Sequence, residues 1–326
     1  MRIMLATDFS SYADTAGSLV SSMKLPAGSW IRVVHAVEPI TIVGVFAPSA
    51  MLEISDVADR EARALVADCE KLLAAEGREV DGVVGHGRAA EAILDACASF
   101  RPDLLVVGSR GRGGVATAVL GSVSAELVDR APCPVLVARM PKLTSIVLAE
   151  DGSTNAAAGA HMIAELPIFA SCAVRVVSVV DASFPIVFAD PAIPATAVQA
   201  YRAYEDALPI LRASHAAFAR ERAQALGRLG LQASGEQREG DAAAEIIAAA
   251  AERHADLIVI GSRGQTGLRR LLVGSVARSV LFHAPCSVLI AHARRSIDAR
   301  PLNDGEPVEV GSGSPSTKIR RDKPAS

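Results

Sequence analysis

Short, almost uninterrupted apolar runs separated by amphipathic stretches set the pattern of this chain. In the first half the runs cover residues 3–6, 31–37, 104–107 and 135–138; in the second they cover 146–149, 174–180, 257–260 and 288–291. A run that is apolar at successive positions suits a strand buried on both faces, as a parallel strand between helices is. Residues 11–23, 57–75, 90–100 and 122–130 read as helices, the second carrying Ala58, Ala62, Leu65, Cys69 and Leu72 on one face. A third strand of the second half, near residues 231–233, is poorly patterned. Strands and helices alternating in this way predict an α/β fold, doubly wound, with helices on both faces of a parallel sheet.

The two halves share more than periodicity. Gly108-Ser109-Arg110-Gly111, nine residues and Gly121-Ser122 recur 153 positions later as Gly261-Ser262-Arg263-Gly264, nine residues and Gly274-Ser275. Residues 101–137 match 254–290 at 16 of 37 positions without a gap, so the chain is an internal duplication. Each motif follows an apolar run, opens a predicted helix and leads to Ala-Pro-Cys and a further apolar run. Glycines let the backbone approach a ligand and take positive φ, while the first N–H groups of a helix attract anions. The pattern suits phosphate binding.

On these motifs the chain resembles the universal stress protein superfamily, whose ATP-binding members carry G-x2-G-x9-G-[ST]. The resemblance covers both halves. It implies two tandem Rossmann-like domains of the adenine nucleotide α-hydrolase-like kind, residues 1–140 and 144–294, each with a five-stranded parallel sheet. It also implies ATP, with Mg²⁺ on the triphosphate, as the ligand of a stress-response regulator. The final strands, 135–138 and 288–291, are expected to pair the domains as they pair subunits in single-domain members. A homodimer of the whole chain stays open, and no protein partner is indicated.

Asp8 and Asp151 end the first strand of each half. In open α/β sheets ligands sit beyond the carboxyl ends of the strands, where a carboxylate can accept from ribose hydroxyls or an adenine amine. The alternative is that each aspartate caps the following helix. The resemblance places the backbones of Ala36 and Val179 at the adenine edge. It places Gly108, Gly111, Gly121 and Ser122, and likewise Gly261, Gly264, Gly274 and Ser275, around the triphosphate. Arg110 and Arg263 either add charge there or remain solvated, and Arg269 and Arg270 in the second spacer favour the second half if the halves differ in affinity. His35 and His161 read as packing or surface residues.

Other chemistries find less support. No G-x4-G-K-[ST] loop occurs, and Gly85-x-Gly87-x-x-Ala90 lies too late in its half to be a dinucleotide fingerprint. A net charge of −3 leaves no footprint for nucleic acid. No apolar stretch runs to the roughly 20 residues of a membrane helix, and no secretory signal opens the chain, so the cytoplasm is the expected compartment. Five cysteines without metal spacing read as reduced packing residues, Cys133 and Cys286 at equivalent places. Ile42, Val43, Val45 and Phe46, and their counterparts Phe184, Ile186, Val187 and Phe188, suit a flap or a domain contact. The tail, 295–326, reads as disordered. A slow ATPase or nucleotidyl-transfer enzyme, and a nucleotide-free interaction protein with structural glycine turns, are the two alternative functions; no residue is singled out as catalytic or metal-binding.

Overall fold

Every apolar run lies in a strand of the computed structural model, which describes residues 1–38, 48–74, 77–111, 120–181, 195–262 and 273–292. The first half runs β1 (Arg2–Ala6), α1 (Ser11–Ser22), β2 (Ser29–Val37), α2 (Pro48–Leu73), β3 (Arg78–His86), α3 (Ala89–Phe100), β4 (Leu104–Gly108), α4 (Ser122–Arg130), β5 (Val135–Ala138). The second repeats it as β6 (Ser145–Ala149), α5 (Thr154–Glu165), β7 (Ala173–Val180), α6 (Ala195–Arg228), β8 (Gln232–Glu239), α7 (Ala242–Glu252), β9 (Leu257–Gly261), α8 (Ser275–His283) and β10 (Ser287–Ala291).

Each half contributes five parallel strands, and the two sets form one ten-stranded sheet in the order β3-β2-β1-β4-β5-β10-β9-β6-β7-β8. The join is antiparallel: Val288 faces Val137, Leu289 faces Leu136 and Ile290 faces Val135. These fully buried strands cover each other's edge, which would otherwise expose unpaired peptide groups. Polar contacts fasten the seam. The amides of Arg139 and Met140 both donate to Ser287 Oγ, the Arg139 guanidinium donates to the carbonyls of Leu281 and Cys286, and Arg278 pairs with Asp129 at 2.7 Å.

Alternation of side chains across the sheet puts a core on each face. Met4, Val107, Val137, Val147 and Val288 lie in one; Leu5, Val106, Leu136, Leu148 and Leu289 lie in the other. Both cores run through both halves, and residues 1–294 form one compact unit.

Two expectations change. The second helix begins at Pro48, and its buried stripe is Ala62, Val66 and Leu73 with Cys69 alongside, a spacing of four, three and four. Leu72, expected on the core face, is 80% exposed. The stripe is set by Gly82 of β3, where a Cβ would overlap Val66, so the helix seats on the strand through Val66. The apolar stretches at 42–46 and 184–188, Arg263, Gly264, Arg269, Arg270 and the tail lie outside the described residues.

The offset between the halves locates their difference. Ile3 pairs with Ile31 as Ile146 pairs with Val174, an offset of 143, whereas Val33 pairs with Gly82 as Val176 pairs with Gly235, an offset of 153 at the edge strand. Ten residues were therefore added between β7 and β8.

Cys97, Cys133, Cys172 and Cys286 are buried, and burial pushes the Cys172 and Cys286 thiols up to about 11; the Cys69 thiol is raised as well, by burial and by Asp14 and Glu70, but Cys69 is only half-buried and so within reach of a reagent. Native protein titrated with a disulfide reagent at neutral pH should release one thiol equivalent, that of Cys69, and five after denaturation. Rapid reaction of several thiols in the native protein would contradict this packing.

Candidate functional site

A cavity of about 580 Å³ opens at the carboxyl ends of β1, β2 and β4, in the size range of small-ligand sites. It brings together all seven positions singled out in the first half: Asp8, Ala36, Gly108, Arg110, Gly111, Gly121 and Ser122. One wall is the end of β2 with Ala58, Glu61, Ala62 and Leu65 of α2; the opposite end is the loop after β4 and the first turn of α4.

Asp8 is not the helix cap. Ser10 holds that place, its Oγ accepting from the Ala13 amide, while Asp8 Oδ1 accepts from the Ser10 amide and hydroxyl. The second oxygen, Oδ2, stands where a Cβ on Gly111 would come within 2.7 Å. Asp8 and the glycine loop thus meet at the cavity, and the carboxylate itself requires glycine at 111. Gly108 serves packing: a Cβ there would stand 2.9 Å from the Tyr12 carbonyl carbon and oxygen.

The anion end is the start of α4. Gly121 is the N-cap and offers no side chain to the first turn. Its own amide is already donated to the Ser109 carbonyl at 2.8 Å, so the groups turned to the cavity belong to Ser122 and Val123. Ser124 ties the helix down, its buried hydroxyl donating to the Gly108 carbonyl. Arg110 lies over the Tyr12 ring, 5.2 Å from its centroid, with Nη1 3.0 Å from the hydroxyl. A cation so held stands beside the start of α4 at little further cost in side-chain freedom.

His35, read from the sequence as a packing or surface residue, lines the cavity beside Ala36. Its Nδ1–H donates to the Thr7 carbonyl at 2.8 Å and its ring packs on Phe9, whose φ of 57° is a backbone conformation unusual for an aromatic residue. The α2 wall residues also escaped sequence reasoning, because which helical face meets a strand end depends on tertiary seating. His161 pairs with Glu165 at the surface of α5, away from the cavity.

The second half repeats the framework. Ser153 caps α5, Asp151 accepts from the Ser153 amide, the Gly274 amide donates to the Ser262 carbonyl at 2.8 Å, and a Cβ on Gly261 would meet the Asn155 carbonyl carbon at 2.8 Å. Val179 sits in β7 where Ala36 sits in β2, and Gly274 and Ser275 open α8 as Gly121 and Ser122 open α4. Side chains around it differ. Gly152 (φ 78°) replaces Phe9, and Glu150 replaces Thr7, its buried carboxylate accepting from the Gly152 amide at 2.8 Å and pairing with Arg222 of α6 at 2.6 Å.

A doubly wound sheet with a glycine loop feeding a helix N-terminus at its carboxyl edge defines a class of nucleotide-binding-type α/β fold. The chain matches the Universal stress protein family twice, over residues 1–139 and 142–292, and belongs to it. A universal stress protein of Thermus aquaticus is 37% identical over 142 residues, 42% of this chain and 97% of that protein. One from Mycobacterium tuberculosis is 28% identical over 212 residues, 59% of this chain and 63% of its own length. Among solved structures, a universal stress protein from Archaeoglobus fulgidus superposes with a TM-score of 0.62 at 17% identity, covering 90% of this chain and 98% of its own. A family member from Arabidopsis thaliana was solved with AMP bound; it is 22% identical, with a TM-score of 0.28, and covers 41% of this chain and 88% of its own.

Gly108→Ala should lower stability by about 1–3 kcal/mol, because the added methyl must displace the first turn of α1. Equilibrium unfolding in urea measures it; an unchanged midpoint would mean the strand end and helix are not in this contact.

Proposed function

We propose that the first half binds an adenine nucleotide in the cavity between α2 and α4, and that the protein is a regulatory binder for which the nucleotide is a ligand. The observation that carries this reading is the convergence of Asp8, Ala36, Gly108, Arg110, Gly111, Gly121 and Ser122 on one cavity. The nucleobase lies between the backbone of Ala36 and Ala62 of α2, where a peptide N–H and C=O read its edge. Asp8 accepts from the ribose hydroxyls. The phosphates take the amides of Ser122 and Val123, the Ser122 hydroxyl and the positive end of α4, with Arg110 adding charge. ATP with Mg²⁺ is the form that uses the whole cradle.

The lining supports this polarity. The carboxylates of Glu38 and Glu61 line the cavity with the end of β2 and α2, away from the glycine loop in sequence, and Glu38 is engaged by the Ala89 amide at 3.1 Å. Residues 1–140 and 144–294 are read as two domains of one ancestry, so that Asp151, Val179, Gly261, Arg263, Gly264, Gly274 and Ser275 give the second half an anion cradle of its own.

ATP should bind nucleotide-free protein more tightly than adenosine, and Arg110→Ala should weaken ATP by about tenfold while changing adenosine little, the loss of one charge-assisted contact. Titration calorimetry on both ligands measures this. Equal affinities for ATP and adenosine in the wild type would remove the phosphate cradle from the account. Turnover is expected to stay below about 1 per second, under the range of ordinary enzymes; faster ADP release that disappears in Arg110→Ala would make the protein an ATPase.

A further inference from the structure

Among the described residues, the halves differ where α2 and α6 face the strand ends. Gly82 of β3 receives Val66 of α2, and Gly235 of β8 receives the backbone of Ala219 of α6, so the helices correspond at an offset of 153. The turns that follow agree, with Gly77 and Gly230 at φ 76° and 88°. One helical turn before the seated residue, the first half has Ala62, a wall of the cavity, and the second has His215. On the neighbouring strands the exchange is reciprocal: His35 of β2 corresponds to Ser178 of β7.

His215 projects from α6 onto the end of β7, where the first half has its imidazole on the strand and a small residue on the helix. Its Nδ1 lies 2.9 Å from Ser178 Oγ, on a residue buried completely in β7 and adjacent to Val179. Phe218, at the position of Leu65, backs the imidazole edge-on at 5.6 Å. Further contacts fasten α6 over this strand end. Arg222 pairs with buried Glu150, Arg212 donates to Glu239 through two nitrogens at 2.8 Å, and the Tyr204 hydroxyl donates to the Asp181 carbonyl just beyond β7. Burial holds the His215 imidazole below its ordinary value, so at neutral pH it is an uncharged ring suited to this half-buried place.

We infer that His215 fills the nucleobase position of the second half, so that the chain holds one adenine nucleotide, in its first half, and the second half excludes it. This rests on the nucleotide reading of the first-half cavity. It leaves one nucleotide where the glycine motifs of both halves, as the resemblance places them, would hold two, and it needs no difference in the glycine loops. A backbone cradle for phosphate remains behind a closed nucleobase pocket.

The test is the stoichiometry of Mg²⁺–ATP on nucleotide-free full-length protein, with folding checked by circular dichroism. Wild type should take one ATP per chain. His215→Ala, which restores the small residue of the first half, should take two. The reverse graft, His35→Ser with Ala62→His, should take none. Two ATP per wild-type chain would overturn the inference, as would a folded His215→Ala protein that still takes one. If His215→Ala fails to fold, the graft decides: retention of ATP by the grafted protein contradicts the inference and its loss supports it. Zero in the wild type and in His215→Ala alike would instead overturn nucleotide binding itself.

Discussion

The approach of the carboxyl end of β4 to the first turn of α1 is the constraint on which the site depends. With no Cβ at Gly108, the strand end lies against the Tyr12 carbonyl, and this contact carries the loop after β4 to within reach of Asp8. Any larger residue would separate α1 from the glycine loop and widen the floor of the cavity. Asp8 Oδ2 against Gly111, Arg110 over Tyr12 and Ser124 on the Gly108 carbonyl are all consequences of this proximity. Gly261 against Asn155 shows the second half obeying the same rule. The glycines of the motif therefore do two kinds of work: the first packs strand on helix, and the later ones keep the loop close to Asp8 and to its own backbone at the start of α4.

Duplication preserved what the backbone does and released what the side chains do. The amides of Gly121 and Gly274 make the same bond, and Ser10 and Ser153 cap equivalent helices. Around them, Glu150 stands where the first half has Thr7, Gly152 where it has Phe9, and His215 where it has Ala62. A buried carboxylate is costly without a partner, so Glu150 and Arg222 stand or fall together. Both halves place an imidazole between the second strand and the long helix, but from opposite sides. In the first it comes from the strand and leaves the helix side open; in the second it comes from the helix.

Strands with both faces buried were legible, because their apolar runs need no register to be recognised: β1, β4, β5, β6, β9 and β10 all fall on the runs read from the sequence. The edge strands were read less well: the strand expected near residues 231–233 catches only the start of β8, and β3 was not read. β3 and β8 are partly exposed along most of their length and mix charge with apolar residues, so neither has a clean run or a clean alternation. Helix faces were legible to within one residue of rotation, and that residue decides whether Leu72 or Leu73 is buried. In the first-half site the glycine motif and Asp8 were visible because spacing reveals them. His35 and the α2 wall were not, and the pairing of Ser178 with His215, 37 residues apart, depends on how α6 seats on β8.

The most direct measurement is the crystal structure of the full-length chain grown with millimolar Mg²⁺–ATP. The account predicts difference density for one nucleotide, its adenine between Ala36 and Ala62 and its phosphates on the amides of Ser122 and Val123. Phosphate density elsewhere, or an empty first-half cavity at saturating ligand, would contradict the assignment of that cavity as an adenine nucleotide site.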